Sequence, residues 1–495
     1  MTEKDSEPIK LKEIKKDLTI NHENILFVPE MSDGFMEPQT GFFIKIGDKW
    51  IVSELTYFSG ILIQKDEEGN EEKKESAVMP YLFYNNCGKR GFISPTLEKS
   101  IIFDGRRINL SGETTLAKRF PTLMTLESAK DFMAGKEVEL KEVYEQLKAR
   151  QKKFVNFEWD ERLYDLMACI TIATYFFDVF GAFPITFFYG VAGTGKGRGL
   201  KSITFASHRG FAITVPTEAV LFRGIDAFRP TLGLDEFTTT YEPVMVLIRT
   251  AYKKGEAVGR TEELKGGKKW NLSFFETFCP LVIASTSNLD SVTLTRTIIF
   301  LMKNAADPNP SKKDPTPLDF EDIREKLYIL RLTKANEVAE MREQLCHDNS
   351  IPKDFGGREW EIYLPPLTIA KMLGDDTFKN VLTVLTQQFV EKTADLYTEE
   401  KDVLTALAQI FLNKGKPEMI EFFPKDIVEA LWQLKSSEYA TEEEFQRKNN
   451  PKSIGWRLKR MGLVGEYVAK GRQYSLKLSD FKDLCNRYSI SFTGF

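Results

Sequence analysis

Residues Pro184 to Leu200 read PITFFYGVAGTGKGRGL. Ile185 to Tyr189 is a short apolar run between Pro184 and Gly190, the pattern of a buried strand. Glycines stand at 190, 193, 195, 197 and 199, and Gly190, Gly195 and Lys196 satisfy G-x-x-x-x-G-K. Phosphate binding needs this composition because backbone N–H groups must converge on phosphate oxygens. Glycine permits that by reaching positive φ without steric cost. Lys196 then reaches the outer phosphates, and the following helix turns its positive N-terminal end toward them. Gly190, Gly193, Thr194, Gly195, Lys196 and Gly197 are the candidate nucleotide-binding set.

One position departs from the pattern. The residue after the lysine is ordinarily Ser or Thr, whose hydroxyl ligates Mg²⁺, and here it is Gly197. Two readings stand: a degenerate loop that binds nucleotide poorly or not at all, or a magnesium ion held by phosphate oxygens, waters and an acidic partner elsewhere. On the second, Gly197→Thr is expected to tighten Mg²⁺ dependence or leave activity unchanged.

The acidic partner is sought outward from the loop. Phe211 to Val215 is a second strand candidate, and Arg229 to Phe237 reads RPTLGLDEF, an apolar approach ending in Asp235 and Glu236. An acidic pair at the end of a buried strand suits Asp235 as the Mg²⁺ residue and Glu236 as the general base that polarises the attacking water. An ordinary strand-to-turn junction is the bland alternative. Pro243 to Lys254 follows as a helix with proline in its first turn. Glu256 to Leu264 and Lys268 to Phe278 form a hairpin around Gly266–Gly267, with Lys265, Lys268 and Lys269 at its tip. Leu281 to Thr286 is another buried strand, ending in a Ser–Asn pair; Arg296 and the strand-like TIIFLM lie beyond. The segment therefore offers five short strands with polar residues at their C-terminal ends, where open α/β sheets bind ligands.

Composition excludes little. A formal charge of −4 gives no global nucleic-acid signature, so any DNA contact must come from local basic patches. Five scattered cysteines without C-x-x-C, beside three histidines, suggest neither a zinc site nor a disulfide framework. That fits a reducing, cytoplasmic setting. The charged start of the chain lacks an apolar signal region, and the most apolar segment, Leu163 to Tyr189, is broken by Asp165, Asp178 and Pro184, so no membrane contact is expected.

Residues 1–150 read as a β-rich N-terminal domain, with a solvated tip or loop from Lys65 to Ser76. Residues 151–310 hold the loop and its strands, entered through a buried helix over Asp160–Phe180. Residues 311–398 are helical, over Phe320–Leu345 and Pro366–Tyr397, and suited to lie over the nucleotide; between them GREWEIYLPPLTIA carries Arg358 near a helix start. Residues 399–495 offer helices at Leu404–Asn413, Lys425–Leu434 and Ser453–Met461, then a hairpin turning at Lys470–Gly471. Three helices and a two-stranded wing are the order of a winged helix. Lys452, Arg457, Lys459, Arg460, Lys470 and Arg472 are its candidate phosphate contacts, and a winged helix used for protein docking is the alternative.

With loop, LGLDE, hairpin, Ser–Asn pair and arginine in this order, residues 155–375 resemble an AAA+ ATPase. More narrowly they resemble the helicase-like ATPases of archaeal plasmids, viruses and integrated elements, distant relatives of minichromosome-maintenance helicases. The resemblance rests on RTEELKGGKKWNLSFF, CPLVIASTSN, TLTRTIIF and GREWEIYLPPLTIA, and it is weak over residues 1–150. It implies an AAA+ core with a five-stranded parallel sheet, a helical lid, ATP and Mg²⁺ as cofactors, and a hexameric ring. It further implies single-stranded DNA in the central channel, duplex at the winged helix, and a helicase acting in the replication of a mobile element. By the same resemblance Asn288 senses the γ-phosphate, with Thr286 as competitor; Arg296 is an arginine finger for the neighbouring subunit; and Arg358 is a second sensor from the lid. A rival class is an AAA+ regulatory or scaffolding ATPase that assembles on DNA without unwinding it. Three lysines around a two-glycine turn speak for the motor.

Overall fold

The computed structural model describes residues 20–487 apart from 23–24, 30–40, 47–48, 66–67, 70, 99, 104–105, 110–121, 215, 239–240, 264–269, 305–312, 354, 397 and 440. The chain divides into two compact units, Met1–Gln388 and Phe389–Phe495.

The first unit begins with a six-stranded antiparallel sheet dominated by Lys49–Lys65 and Glu71–Asn86. Their pairing runs from Ile51↔Asn86 to Lys65↔Glu71. The charged run expected as a solvated tip or loop stands at the turn end of this hairpin: Glu68 and Gly69 turn, and Glu71–Ser76 already belong to the second strand. Backbone pairing tolerates charged side chains where a strand end faces water. Ile51 through Phe58 are buried without alternation, so this stretch is covered on both faces.

What covers it is the rest of the unit. Helix Glu321–Leu345 packs against Lys49–Lys65 and against the short helical turn Thr174–Val179. Its buried residues, from Ile323 through Ala339, fall on several faces, so it forms a central brace of the scaffold. Helix Arg162–Ala173 is buried from Leu163 onward and gives way to that turn near Phe176, whose φ of −122° is non-helical. Helix Gly357–Leu373 contains Pro365 and Pro366, where the sequence predicted a start at Pro366; both prolines are buried.

The α/β core is a five-stranded parallel sheet in the order Phe211–Ile213, Leu232–Leu234, Leu281–Ser285, Ile185–Tyr189, Thr297–Leu301. In chain order that is second, third, fourth, first, fifth. The first strand is thus interior, and Leu281–Ser285 and Ile185–Tyr189 are buried nearly throughout, as a sheet covered on both faces demands. This is the predicted α/β class: a parallel P-loop sheet among helices, an N-terminal antiparallel sheet before it and a helical region after it.

A buried charge cluster ties the N-terminal sheet to this core. Glu54 is fully buried; its carboxylate accepts from Arg209 Nε at 2.9 Å, Arg331 Nε at 2.7 Å and His208 Nε2 at 3.0 Å. Arg331 also grips Asp178 with both terminal nitrogens, at 3.0 and 2.8 Å. Burial alone would raise the Glu54 pKa, but Arg209, His208 and Arg331 hold it well below the usual carboxylate range. Burial pushes His208 from 6.5 down to about 4 against the pull of Glu54, so its ring is neutral at pH 7. An unfolded His208 takes up a proton below 6.5 and the folded one does not. Its contribution is therefore fully present above pH 6.5 and is lost as pH falls toward 4. Glu54 adds its own loss only below the unfolded carboxylate value. His208→Gln should flatten the stability profile between pH 7 and 4.5 in thermal unfolding. Glu54→Ala, leaving the buried Arg209 guanidinium without a carboxylate while Arg331 keeps Asp178, should cost about 3–5 kcal/mol at pH 7.

The second unit has helix Thr398–Asn413, strand Met419–Phe422, helices Pro424–Lys435, Glu442–Lys448 and Pro451–Arg460, then the wing strands Glu466–Val468 and Gly471–Lys477. Leu407, Phe411, Leu431, Ile454, Leu458 and Tyr474 share its core. The strand Met419–Phe422 and the helix Glu442–Lys448 were not anticipated; the first pairs with the wing through Ile420↔Leu476 to complete a three-stranded winged-helix sheet. Among the described residues no helix is long and apolar enough to cross a membrane.

Candidate nucleotide site

The loop leaves the C-terminal end of Ile185–Tyr189 and enters helix Lys196–Thr204. Gly193 and Gly195 hold φ of +83° and +84°, conformations that other side chains rarely adopt. Gly190 is needed for closeness: a β-carbon there would meet the Met302 carbonyl oxygen at 2.3 Å. The Val191 carbonyl accepts from both Thr194 Oγ1 at 2.8 Å and Lys196 Nζ at 2.7 Å, which folds the loop on itself. Burial pushes the Lys196 ammonium down, and the nearby Asp235 carboxylate opposes it.

Register aligns the strand ends. Ser285 and Leu301 both stand beside Tyr189, and Leu234 beside Ile283, so the residues after them share one edge of the sheet. That edge opens into a cleft of about 980 Å³ lined by the loop from Ala192 to Gly197, by Asp235 and Glu236, and by Ser285 and Thr286. The size suits a nucleotide. Asp235 Oδ1 accepts from the Glu236 N–H at 3.0 Å, and Glu236 is exposed at a left-handed φ of +52°. Backbone strain of this kind at a non-glycine residue is held by its surroundings and concentrates at functional sites.

A metal here finds a fitting donor set, though a partial one. No group of three or more His, Cys, Asp or Glu side chains stands ready for a metal among the described residues. Mg²⁺ in phosphate-transfer sites takes one or two carboxylates and fills the rest with phosphate oxygens and waters, and Asp235 beside the loop meets that requirement. The five cysteines are free, and none lines the cleft.

Three predicted residues stand elsewhere. Asn288 lies past the strand end, outside the cleft lining, and its side-chain oxygen accepts from the Leu289 N–H at 3.0 Å; Thr286 lines the cleft instead. Arg296 and Arg358 come together, but at the other end of the sheet. The Ile185 N–H bonds the Arg296 carbonyl at 2.9 Å, so Arg296 sits at the start of the strand whose far end carries the loop. Arg296 donates to the Val292 carbonyl and lies 4.9 Å from the Tyr252 ring centre, over which Arg358 stands at 6.0 Å. Arg358 also donates to Thr295 Oγ1 at 2.7 Å. Burial and the adjacent Arg358 charge lower the Arg296 pKa. Arg358 is therefore not a sensor over its own chain's loop, because its helix begins beside Thr295 rather than at the cleft.

The cleft has walls that no sequence motif marked. Phe154, Val155 and Asn156, just after helix Leu140–Lys152, line it, as does Asp314. The Asp314 carboxylate accepts from Arg198 Nε at 3.1 Å and Lys201 Nζ at 2.9 Å on the loop helix. Those two hydrogen bonds, Lys201's first, keep it ionised below the usual range.

The basic candidates divide. Strands Ala257–Glu263 and Trp270–Glu276 pair up to Glu263↔Trp270, while Lys265, Lys268 and Lys269 lie outside the described residues. In the winged helix, Lys452, Lys459, Lys470 and Arg472 are exposed. Arg457 is not available to a phosphate: it is 7% exposed and bonds Asn449 Oδ1 at 2.8 Å and Glu399 at 3.2 Å. Its spacing places it on the inner face of the helix. Arg460 belongs to the same helix, and its side chain lies outside the described ones. The sequence reading missed two aromatics beside the cations. Trp456 and Tyr467 are 62% and 81% exposed, with Lys459 5.6 Å from the first ring and Arg472 5.1 Å from the second.

No protein-family model matches the chain, and no curated protein does. Among solved structures the chain is similar to the active helicase Cch of SCCmec type IV, with 11% identity, a TM-score of 0.36, and coverage of 89% of this chain and 99% of that one. It is also similar to a full-length MCM homologue from Methanopyrus kandleri, with 10% identity, a TM-score of 0.32, and coverage of 68% and 76%. Overlaps of that extent leave the functional reading to the residues of the site itself.

Proposed function

We propose that the chain is an ATP-driven, ring-forming DNA helicase or translocase of the AAA+ class, serving replication of a mobile genetic element. Lys196 and the loop N–H groups bind the phosphates, Asp235 serves Mg²⁺ and Glu236 orients and deprotonates the attacking water. Mg²⁺, when bound, neutralises charge developing on the phosphates.

The observation that supports the ring most directly is the separation of Arg296 and Arg358 from their own loop. Two half-buried arginines, stacked on one tyrosine, stand at the N-terminal end of the same strands whose C-terminal ends form the cleft. A cationic pair so placed serves phosphoryl transfer only on a neighbour's nucleotide. DNA contact draws on the exposed cations of the winged helix, where each ring beside a cation adds a face on which a base can stack.

Hydrolysis by the full chain, measured with and without forked DNA, tests this function. DNA should stimulate turnover and the fork should open. Replacing Lys265, Lys268 and Lys269 together with alanine should remove both effects while a fluorescent nucleotide still binds. If the triple variant opens the fork as fast as the unaltered chain, the hairpin is not the translocating element. A chain that hydrolyses ATP but never opens the fork is the scaffolding ATPase.

A further inference from the structure

The sheet gives a bound nucleotide its direction. Ile185–Tyr189, which feeds the phosphate loop, lies between Leu281–Ser285 on one side and Thr297–Leu301 on the other. Asp235, Glu236 and Thr286 follow strands on the first side, so the phosphate that is attacked stands there. With that phosphate beside Glu236, the nucleoside leaves the loop toward the second side. There the cleft wall is Met302, Lys303 and Asn304, directly after Thr297–Leu301, together with the segment 154–156. Ring contacts fasten this wall: Phe157 stacks on Phe300 at 5.7 Å, and Lys303 Nζ lies 5.8 Å from the Trp159 ring centre.

Asp314 is the acidic side chain of that half of the cleft. The Phe154 ring lies 5.8 Å from Phe320, which brings the segment 314–320 beside the same wall. The carboxylate is pinned from the loop helix: Oδ1 accepts from Arg198 Nε at 3.1 Å and Oδ2 from Lys201 Nζ at 2.9 Å. Each oxygen keeps a further lone pair, and the side chain is still 57% exposed. A bare carboxylate here would repel the phosphates, but this one is outnumbered by its two cationic partners. Held ionised, it only accepts, so it selects for donors. The ribose is the part of a nucleotide that carries two adjacent hydroxyl donors. An acidic side chain accepting from a ribose hydroxyl is also how dinucleotide sites recognise that sugar.

We propose that Asp314 accepts hydrogen bonds from the ribose hydroxyls of the bound nucleotide and makes the cleft selective for ribonucleotides over deoxyribonucleotides. The inference rests on the nucleotide-binding reading above. Arg198 and Lys201 are positioning residues in this arrangement: they hold the carboxylate at the nucleoside end and offset its charge against the phosphates. A nucleotide lacking the hydroxyl leaves that acceptor to water, which is the source of the discrimination.

Calorimetric titration of the full chain with ADP, 2′-deoxy-ADP, 3′-deoxy-ADP and inosine diphosphate tests the assignment. The unaltered chain should bind ADP at least about fivefold more tightly than one or both deoxy forms, the gain of a charge-assisted hydrogen bond in a part-exposed site. Asp314→Ala, with Asp314→Asn as the variant of equal shape, should bring that ratio to about twofold or less. Binding of the deoxy form by each variant shows that it is folded. The ratio separates recognition from a structural ion pair, whose loss would weaken all four ligands alike and leave the preference in place. That outcome, or equal affinity of the unaltered chain for ADP and both deoxy forms, overturns the assignment and leaves nucleotide binding intact. Variants that keep the ribose preference but change the ratio of ADP to inosine diphosphate overturn it as well, because the carboxylate then reads the base. Failure of the unaltered chain to bind any of the four removes the nucleotide reading, and the assignment with it.

Discussion

Arg296→Ala should reduce ATP turnover by about a thousandfold or more, the range seen when an arginine finger is withdrawn, while nucleotide binding survives. The expectation follows from where the residue is held. Arg296 precedes Thr297–Leu301, which runs parallel to Ile185–Tyr189 with Thr297 beside Ile185. The loop departs beyond Tyr189, so about 13 Å of strand, at 3.3 Å per residue, separates the two. The guanidinium is further anchored to Val292 and the Tyr252 ring, with Arg358 alongside. In the proposed ring its effect on hydrolysis would be exerted on another subunit's nucleotide. Mixing Arg296→Ala with Glu236→Gln gives the test in trans. Neither protein turns over alone, but hybrid interfaces join an intact arginine to an intact glutamate. Activity should return in the mixture, and no recovery despite demonstrated subunit exchange would count against the trans role.

Glu236→Gln should lower turnover by on the order of a hundredfold or more, the contribution of a positioned general base, with little change in nucleotide affinity. Glutamine keeps the shape and the strained φ of +52°, so it removes the basic oxygen without relaxing the turn that orients Asp235. Single-turnover hydrolysis separates this from binding, which the fluorescent analogue measures directly. Turnover within about threefold of the unaltered chain would exclude Glu236 as the base. Lys196→Ala should behave in the opposite way, weakening binding itself, since its ammonium meets the phosphates in ground and transition states alike.

The local elements of the site were legible because their signals are local. A glycine-rich run after an apolar strand and an acidic pair after another each lie within a dozen residues. The five core strands appear where the apolar runs placed them, to within a few residues at their ends. The winged helix was legible for the same reason, down to Lys459 and Arg472 on its exposed face.

What the sequence by itself determined, then, is the set of elements and the chemistry each carries; which of them meet was decided only by the tertiary structure. Parallel pairing gives a sheet two unlike ends, and a residue's end depends on whether it precedes or follows its strand. Asp235 follows one and enters the cleft, while Arg296 precedes another and is carried away from it. Asp314 and Asn156 lie in no motif, and Arg358, though inside GREWEIYLPPLTIA, is far in sequence from the Arg296 it joins; their places follow from tertiary packing, which leaves no periodic trace. Glu54 reads as one more residue in an apolar strand, yet it anchors His208, Arg209 and Arg331 from across the chain. Burying that carboxylate is tolerable only because three partners converge on it, and such convergence exists only in three dimensions. The glycine at 197 left two readings open, a degenerate loop or an acidic partner elsewhere, and only the fold brings the Asp235 carboxylate beside it, 3.3 Å from where a β-carbon would stand.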